Sequence, residues 1–199
     1  MRRRGRRKGH PRRAARQLGC PLKRVPPRSR DAMSFTGKRY DFRDQAGDYA
    51  QLADELSGLL SGESDFVANA ANTAALIFDA LPDLNWAGFY FLKQDELVVG
   101  PFQGKPACVR IALGKGVCGT AALERRTIIV QDVHAFPGHI ACDAASQSEI
   151  VIPLIAGREL LGVLDLDSPS AGRFNEGDGR GLERLAAVFL DNVRLEDIG

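Results

Sequence analysis

Three of the chain's four cysteines, at positions 108, 118 and 142, lie within one stretch of 35 residues. Thiol redox chemistry needs one cysteine that is oxidised to a sulfenic acid and a second that resolves it as a disulfide. In a reducing compartment, however, a free cysteine is more often a small buried apolar residue. Both interpretations are open for each of the three positions, whereas Cys20 lies in a basic N-terminal stretch and is set aside.

The local sequence differs around each of the three cysteines. Cys142 lies in the polar stretch GHIACDAASQSEIVIP, without an apolar period around it, which indicates an exposed loop. Cys118 follows GKG at the start of a short predicted helix, where unpaired backbone N–H groups favour a thiolate. Cys108 lies in PACVRIA, where strand alternation places it on the side of Arg110, the more polar face, or near the strand end.

Acidic and aromatic side chains form a second set of candidates. Glu149 begins the apolar run SEIVIPLIA, and Asp165 and Asp167 are two apart in LDLDS, so their side chains share one face of a strand. They lie either on the solvated side of a sheet edge or in a carboxylate pocket suited to a small cation such as an α-ammonium group. Trp86 and Tyr90 are four apart on another strand and form either core or an aromatic wall against a small apolar or sulfur-containing ligand.

Several functional classes lack their sequence signals. The cysteines and histidines do not have the spacing of a zinc site, and neither GxGxxG after a strand nor a Walker loop occurs. We therefore expect no metal and no nucleotide bound by these motifs. No apolar run approaches the roughly 18 residues of a membrane span, and no secretory signal is present, so a cytoplasmic location is expected.

The charge is unevenly distributed along the chain. The chain has 27 Lys and Arg and 25 Asp and Glu; residues 1–32 hold thirteen of the basic residues and one acid, which leaves 14 and 24, a net charge of about −10, in 33–199. Three interpretations of the basic stretch are open. It is a phosphate-binding arm, a transit peptide (against which its low serine content argues), or an extension ahead of a true start at Met33. We expect residues 1–32 to be a disordered extension and 33–199 to be a single domain without a nucleic-acid partner.

The periodicity of the chain predicts an α+β fold. The predicted elements are, in order, a helix at 45–60, a helix capped by Ser64 and stopped by Pro82, a hairpin of NWAGFYFLK and ELVVGPF, a strand PACVRIA, a helix in GKGVCGTAALERR, a strand TIIVQDV, a hairpin of SEIVIPLIA and LLGVLDLDSPS, and a closing helix in 174–198. Because neighbouring strands pair, we expect an antiparallel sheet with helices on one or both faces.

Three segments carry a resemblance to a known family. The stretches GKGVCGTAA, QDVHAFPGHIACDAASQSEIVIPL and GVLDLDSP resemble a GAF domain and, more narrowly, the free methionine-(R)-sulfoxide reductases. The resemblance covers about residues 33–195. It implies a GAF-like antiparallel sheet of about six strands flanked by helices, a homodimer, no cofactor, and recycling by thioredoxin.

The resemblance also implies roles for the cysteines. Cys142 matches the family's nucleophile, Cys108 its resolving thiol, and Cys118 a second resolving or auxiliary thiol. The order in which Cys108 and Cys118 act stays open.

The other residues match the family's substrate-binding positions. Trp86 and Tyr90 correspond to an aromatic wall against the methyl and sulfur end of the substrate. Glu149, Asp165 and Asp167 correspond to carboxylates around the amino group and the sulfoxide oxygen. Glu149 is the expected proton donor to that oxygen, with an aspartate as the alternative.

Two other functions use the same sequence. A non-catalytic GAF module would bind a small molecule and signal, and a thiol peroxide sensor would use Cys142 and Cys108 without a substrate pocket. Three cysteines on separate elements argue against the non-catalytic module. Substitution of Trp86 or Asp165 would separate the reductase from the peroxide sensor.

Overall fold

The computed structural model describes residues 40–138 and 143–194. These residues form an α+β domain whose elements are, in chain order, α1 (Gln45–Leu60), α2 (Phe66–Ala80), β1 (Trp86–Lys93), β2 (Glu96–Gly104), β3 (Arg110–Ala112), α3 (Gly116–Glu124), β4 (Ile128–Val130), a 3₁₀ turn (Val133–Ala135), β5 (Ser148–Ala156), β6 (Glu159–Ser168) and α4 (Glu176–Asp191). The predicted extension at 1–32 and the nucleophile candidate Cys142 lie outside the described residues, so their predictions stay predictions.

All six strands belong to one antiparallel sheet in the order β3-β2-β1-β6-β5-β4. The two predicted hairpins are confirmed as β1–β2 and β5–β6. The pairing of β1 with β6 joins these hairpins, so β1 and β6 occupy the middle of the sheet. Side chains on β6 therefore have neighbours on both sides, which decides where the acids of LDLDS lie.

Strand alternation divides the core into two layers. Phe89, Ile150 and Leu164 point to the face covered by α1, α2 and α4. Tyr90 and Val163 point to the opposite face, where α3 packs. Helices thus cover both faces, and the face under the single short helix is the one that carries the acids.

Two local predictions were wrong. The cap of α2 is Asp65 rather than Ser64, since the helix begins at Phe66 and the Asp65 carboxylate accepts the Ala68 N–H at 2.9 Å. The third strand is shorter than PACVRIA: it starts at Arg110, and Val109, just before it, is 65% exposed. Cys108 therefore lies in the loop before the strand.

No helix in the described ranges is long and apolar enough to cross a membrane.

Candidate active site

Three carboxyl groups converge on the face of the sheet covered by α3. Asp165 and Asp167 lie on β6, and Glu149 on β5 stands directly opposite Asp167 in the strand register. Glu149 and Asp165 are only 6% and 5% exposed, while Asp167 keeps some contact with solvent. The interpretation of these acids as a solvated sheet edge is wrong because the β1–β6 pairing places them in the interior of the sheet.

The environment favours the protonated form of all three acids. Burial raises the pKa of Glu149 and of Asp165 well above the usual carboxyl range, and the negative charge of Asp167 raises both further. Burial also raises the pKa of Asp167, to about 7, although a hydrogen bond with Ser146 opposes the shift. A group of carboxyls that keeps protons near neutral pH can act as a general acid.

Cys118 lies against this carboxyl cluster and is 3% exposed. Its Sγ atom is 3.9 Å from Oε1 of Glu149. The prediction that the start of α3 favours a thiolate here was wrong: burial, followed by the negative charges of Asp165 and Glu149, raises the pKa of the Cys118 thiol. At this position burial of the thiol, together with repulsion from the neighbouring acids, outweighs the modest attraction of a short helix for an anion.

The glycines of GKGVCGTAA allow α3 to press onto the sheet. Gly116 begins the helix with φ of 60°, and a Cβ atom on Gly119 would collide with the carbonyl oxygen of Ala112. The motif therefore serves to bring Cys118 within reach of the carboxyls.

The two predicted aromatic residues are both buried and stacked. The ring centroids of Trp86 and Tyr90 are 5.8 Å apart, and the Phe102 ring also stacks on Trp86, at 5.2 Å. The Trp86 indole N–H donates to the carbonyl oxygen of Lys105 at 3.1 Å. Trp86 is also opposite Asp167 in the β1–β6 register, so the aromatic stack borders the acids.

One small cavity gathers most of these groups. It has a volume of about 20 Å³ and is lined by Tyr90, Ile111, Lys115, Gly116, Val117, Cys118, Ser146, Glu149, Asp165 and Asp167. This volume holds about one water molecule. Trp86, which stacks on Tyr90, and Cys108 are not among the lining residues, so the cavity brings together five of the predicted site residues. Sequence reasoning missed Lys115 and Ser146, whose only signal was their position beside Gly116 and before SEIV.

A second polar cluster lies beside the predicted nucleophile. Asp143, the residue after Cys142, accepts the backbone N–H of Ala145 at 2.9 Å, the Lys105 ammonium at 3.1 Å and the Asn85 amide at 3.3 Å. The Ala145 hydrogen bond and then the Lys105 contact lower the pKa of Asp143. Lys105 is three residues before Cys108, so this cluster ties the chain next to one predicted redox cysteine to the chain next to the other.

Three side chains of the cavity have the donor types of a metal site. One ligand atom each from Cys118, Glu149 and Asp165 all lie within 4.8 Å of one another. They come from α3, β5 and β6, so no short sequence motif indicates that they lie together.

The domain matches known proteins over most of its length. The GAF domain family matches residues 67–189. The protein of Escherichia coli K12 named free methionine-R-sulfoxide reductase is 55% identical over 139 residues, which cover 70% of this chain and 84% of that protein. The chain belongs to the free methionine-R-sulfoxide reductase family.

Two further members of this reductase family are also similar to the chain. The Saccharomyces cerevisiae protein of the same name is 46% identical over 147 residues, which cover 70% of this chain and 82% of that protein. The X-ray structure of the Neisseria meningitidis free methionine-R-sulfoxide reductase, in complex with its substrate, has a TM-score of 0.74 at 40% identity and covers 81% of this chain and 97% of that one. The expected GAF fold is confirmed, and membership of this family favours an enzyme over a non-catalytic GAF sensor.

Proposed function

We propose that this chain reduces free L-methionine-(R)-sulfoxide to methionine, with Cys142 as nucleophile, thioredoxin as the final reductant and no bound cofactor. The observation that carries the proposal is the buried cluster of Glu149, Asp165 and Asp167 with raised pKa values, next to Tyr90. A sulfoxide oxygen must be protonated as its bond to sulfur breaks, and a protonated carboxyl cluster supplies that proton. The Neisseria relative, crystallised with its substrate, supports the same chemistry.

In the first step the Cys142 thiolate attacks the sulfur of the sulfoxide. Glu149, or one of the two aspartates that share its protons, gives a proton to the oxygen. The protonated oxygen then passes from the substrate sulfur to the Cys142 sulfur: the S–O bond of the substrate and the transient S–S bond break, and a new S–O bond forms on Cys142. Methionine leaves with two more electrons on its sulfur, and Cys142 is left oxidised by two electrons as a sulfenic acid. A cavity with the volume of one water fits the sulfoxide oxygen, and its fixed place among the acids would select the R configuration.

In the second step a thiol attacks the sulfenic acid and releases water. Cys108 suits this role better than Cys118, because attack needs a thiolate and the pKa of Cys118 is raised by burial and by the neighbouring acids. Cys108 is only half-buried in the loop before β3. The dithiol of thioredoxin then reduces the disulfide, and Cys118 acts as an auxiliary thiol beside Glu149.

One acid of the cluster, in its ionised form, also suits the amino group of a free amino acid. A carboxylate pocket that receives the α-ammonium leaves no room for a preceding peptide bond, so the substrate is the free amino acid. A homodimer is part of the proposal and is testable by light scattering of the purified protein.

The decisive assay follows NADPH oxidation with the full chain, thioredoxin and thioredoxin reductase. We expect turnover with free L-methionine-(R)-sulfoxide and none with the S epimer or with the sulfoxide in a peptide. Cys142→Ser should abolish activity, whereas Cys108→Ser should complete one turnover and stall as a sulfenic acid. Normal cycling of Cys108→Ser would make Cys118 the main resolver, and mass spectrometry of the disulfide after one turnover identifies the pair.

Two further measurements distinguish the reductase from the thiol peroxide sensor and from the non-catalytic GAF sensor. In Asp165→Asn and in a Trp86 variant, sulfoxide reduction should collapse while oxidation of Cys142 by peroxide continues; parallel loss of both activities contradicts the pocket assignment. No turnover in the intact protein, together with tight binding of a cyclic nucleotide, would support a sensor instead.

A further inference from the structure

We infer that the reduced protein binds one Zn²⁺ ion through Cys118, Glu149 and Asp165, in the cavity where the proposed function places the sulfoxide oxygen. The binding itself depends only on these side chains. Its consequence, competition between metal and substrate, rests on the proposed function.

The distances are close to those of a zinc site. Tetrahedral Zn²⁺ has a Zn–S bond of about 2.3 Å and Zn–O bonds of about 2.0–2.2 Å, which puts a sulfur and an oxygen ligand about 3.6 Å apart. The Cys118 Sγ and Glu149 Oε1 atoms are 3.9 Å apart, and no two of the three ligand atoms are more than 4.8 Å apart. Side-chain movements on the order of 1 Å therefore suffice to close the site around an ion.

An unpartnered atom inside the cluster points to a ligand. Oδ1 of Asp165 is buried and has no hydrogen-bond partner, the hydrogen bonds of this carboxyl are with the other two candidate ligands, Cys118 and Glu149, and the residue as a whole is only 5% exposed. Buried polar atoms in native proteins are nearly always paired, because an unpaired one costs about 1–3 kcal/mol. The atom lies on a residue that lines the cavity, so a bound species there would satisfy it.

The donor set selects the kind of ion. Thiolate with carboxylate is a zinc donor set, whereas Mg²⁺ and Ca²⁺ take six or more oxygen ligands. A cavity of about 20 Å³ has no room for such a coordination shell. Three ligands instead of four leave one position for water or for Asp167, which also lines the cavity.

The charges of such a complex balance. Ionised Cys118, Glu149 and Asp165 carry three negative charges and the ion two positive ones. The ammonium of Lys115 is on a residue that lines the same cavity and supplies one more positive charge. With Asp167 protonated, the ion therefore neutralises a site in which three neighbouring negative charges would be costly.

Cobalt titration of the reduced full chain tests the binding, since Co²⁺ bound to a thiolate gives a charge-transfer absorption band. We expect the band to grow to one equivalent and to disappear on addition of Zn²⁺. Cys118→Ser should lose the band, and Cys108→Ser, the matched control, should keep it. Asp165→Asn should weaken affinity about tenfold or more, since even residues that only support a metal ligand contribute 10- to 100-fold.

The opposite pattern overturns the inference. No band in the wild-type chain does so, as does a band that survives in Cys118→Ser or that is lost in Cys108→Ser. Circular dichroism of each variant, with Cys118→Ala as a second substitution, separates loss of the ligand from loss of the fold.

The activity assay distinguishes this inference from the proposed function. Zn²⁺ should raise the apparent KM for the sulfoxide with little change in kcat, and a chelator should restore the original KM. A band without sulfoxide turnover leaves the metal site standing and refutes the proposed function. Turnover without a band, unaffected by Zn²⁺, refutes the metal site alone.

Discussion

Replacing Asp167 by asparagine should make the protein more stable at alkaline pH and leave its stability unchanged in acid. Asp167 is on the central strand β6, beside two other buried carboxyls, and its pKa is raised from 3.8 to about 7. The folded state therefore holds a proton that the unfolded chain releases near pH 4. Between these two pKa values the folded state binds more protons, so the free energy of unfolding falls as the pH rises through this window.

The size of the effect follows from the shift in pKa. A shift of about 3 units, at about 1.4 kcal/mol per unit, gives about 4 kcal/mol lost above pH 7 relative to acid. This is an upper bound, since the Asp167 side chain keeps some contact with solvent that screens its charge. The asparagine side chain of the variant has no charge to lose and keeps an oxygen for the hydrogen bond with Ser146. The negative charge of Asp167 also raises the pKa values of Glu149 and Asp165, so removing it lowers those pKa values toward the ordinary carboxyl range.

Urea unfolding of the full chain at about pH 3, below both pKa values, and at about pH 8 measures this difference, provided the m-value is unchanged. We expect Asp167→Asn to be about 2–4 kcal/mol more stable than wild type at the higher pH and equal to it at the lower. Asp95→Asn, in the exposed turn between β1 and β2, is the matched control and should change stability by less than about 0.5 kcal/mol at both. An equal effect of Asp167→Asn at both pH values, or lower stability at pH 8, would refute the account of the buried acids.

Three further predictions concern catalysis and packing. Glu149→Gln should lower kcat by about 10²- to 10⁴-fold and remove the fall in activity with rising pH, which a wild-type pH profile should show as the acid loses its proton. Lys105→Met should release Asp143 and slow disulfide formation several-fold in rapid-quench experiments, without slowing methionine release in the first turnover. Gly162→Ala should destabilise by about 2–4 kcal/mol in urea unfolding, because φ is 155° and the Cβ would strike the β1 backbone; Gly58→Ala, in open space on α1, should not.

Each of these has a result that contradicts it. An unchanged pH profile in the Glu149 variant moves the proton donor to an aspartate. Equal slowing by Lys93→Met, at the exposed far end of β1, would show that loss of any surface charge suffices. Stability equal to wild type in the Gly162 variant would mean that β6 shifts to accept a methyl group.

The helices and strands could be predicted because each one follows from a pattern of residues that are neighbours in the chain. The alternation in LDLDS correctly placed Asp165 and Asp167 on one face, and the two apolar hairpins were readable from their turns. The helical period of 45–60 gave both the bounds of α1 and its buried face. The cap of α2 was missed by one residue since Ser64 and Asp65 are both good capping residues.

The burial of the site was not predictable from those patterns. It depends on the pairing of β1 with β6, more than 70 residues apart in the chain, which turns an apparent edge strand into a central one. The same long-range pairing reverses the expectation for Cys118, because the effect of the acids is visible only once β5, β6 and α3 are assembled. The contact of Lys105 with Asp143 is likewise between distant loops and has no motif.

Under the proposed function, the proton donors and the resolving thiol lie in two different kinds of structure. A proton donor has to stay fixed against the sulfoxide oxygen, and Glu149, Asp165 and Asp167 lie on paired interior strands. A thiol that resolves a sulfenic acid has to approach it closely, since the Cβ atoms of a disulfide are only about 3.5–4.5 Å apart. Cys108 lies in a loop outside any strand, where the backbone can adjust without breaking the sheet. Cys118, held by α3 against the acids, lacks that freedom, which is the structural argument for Cys108 as the resolving thiol.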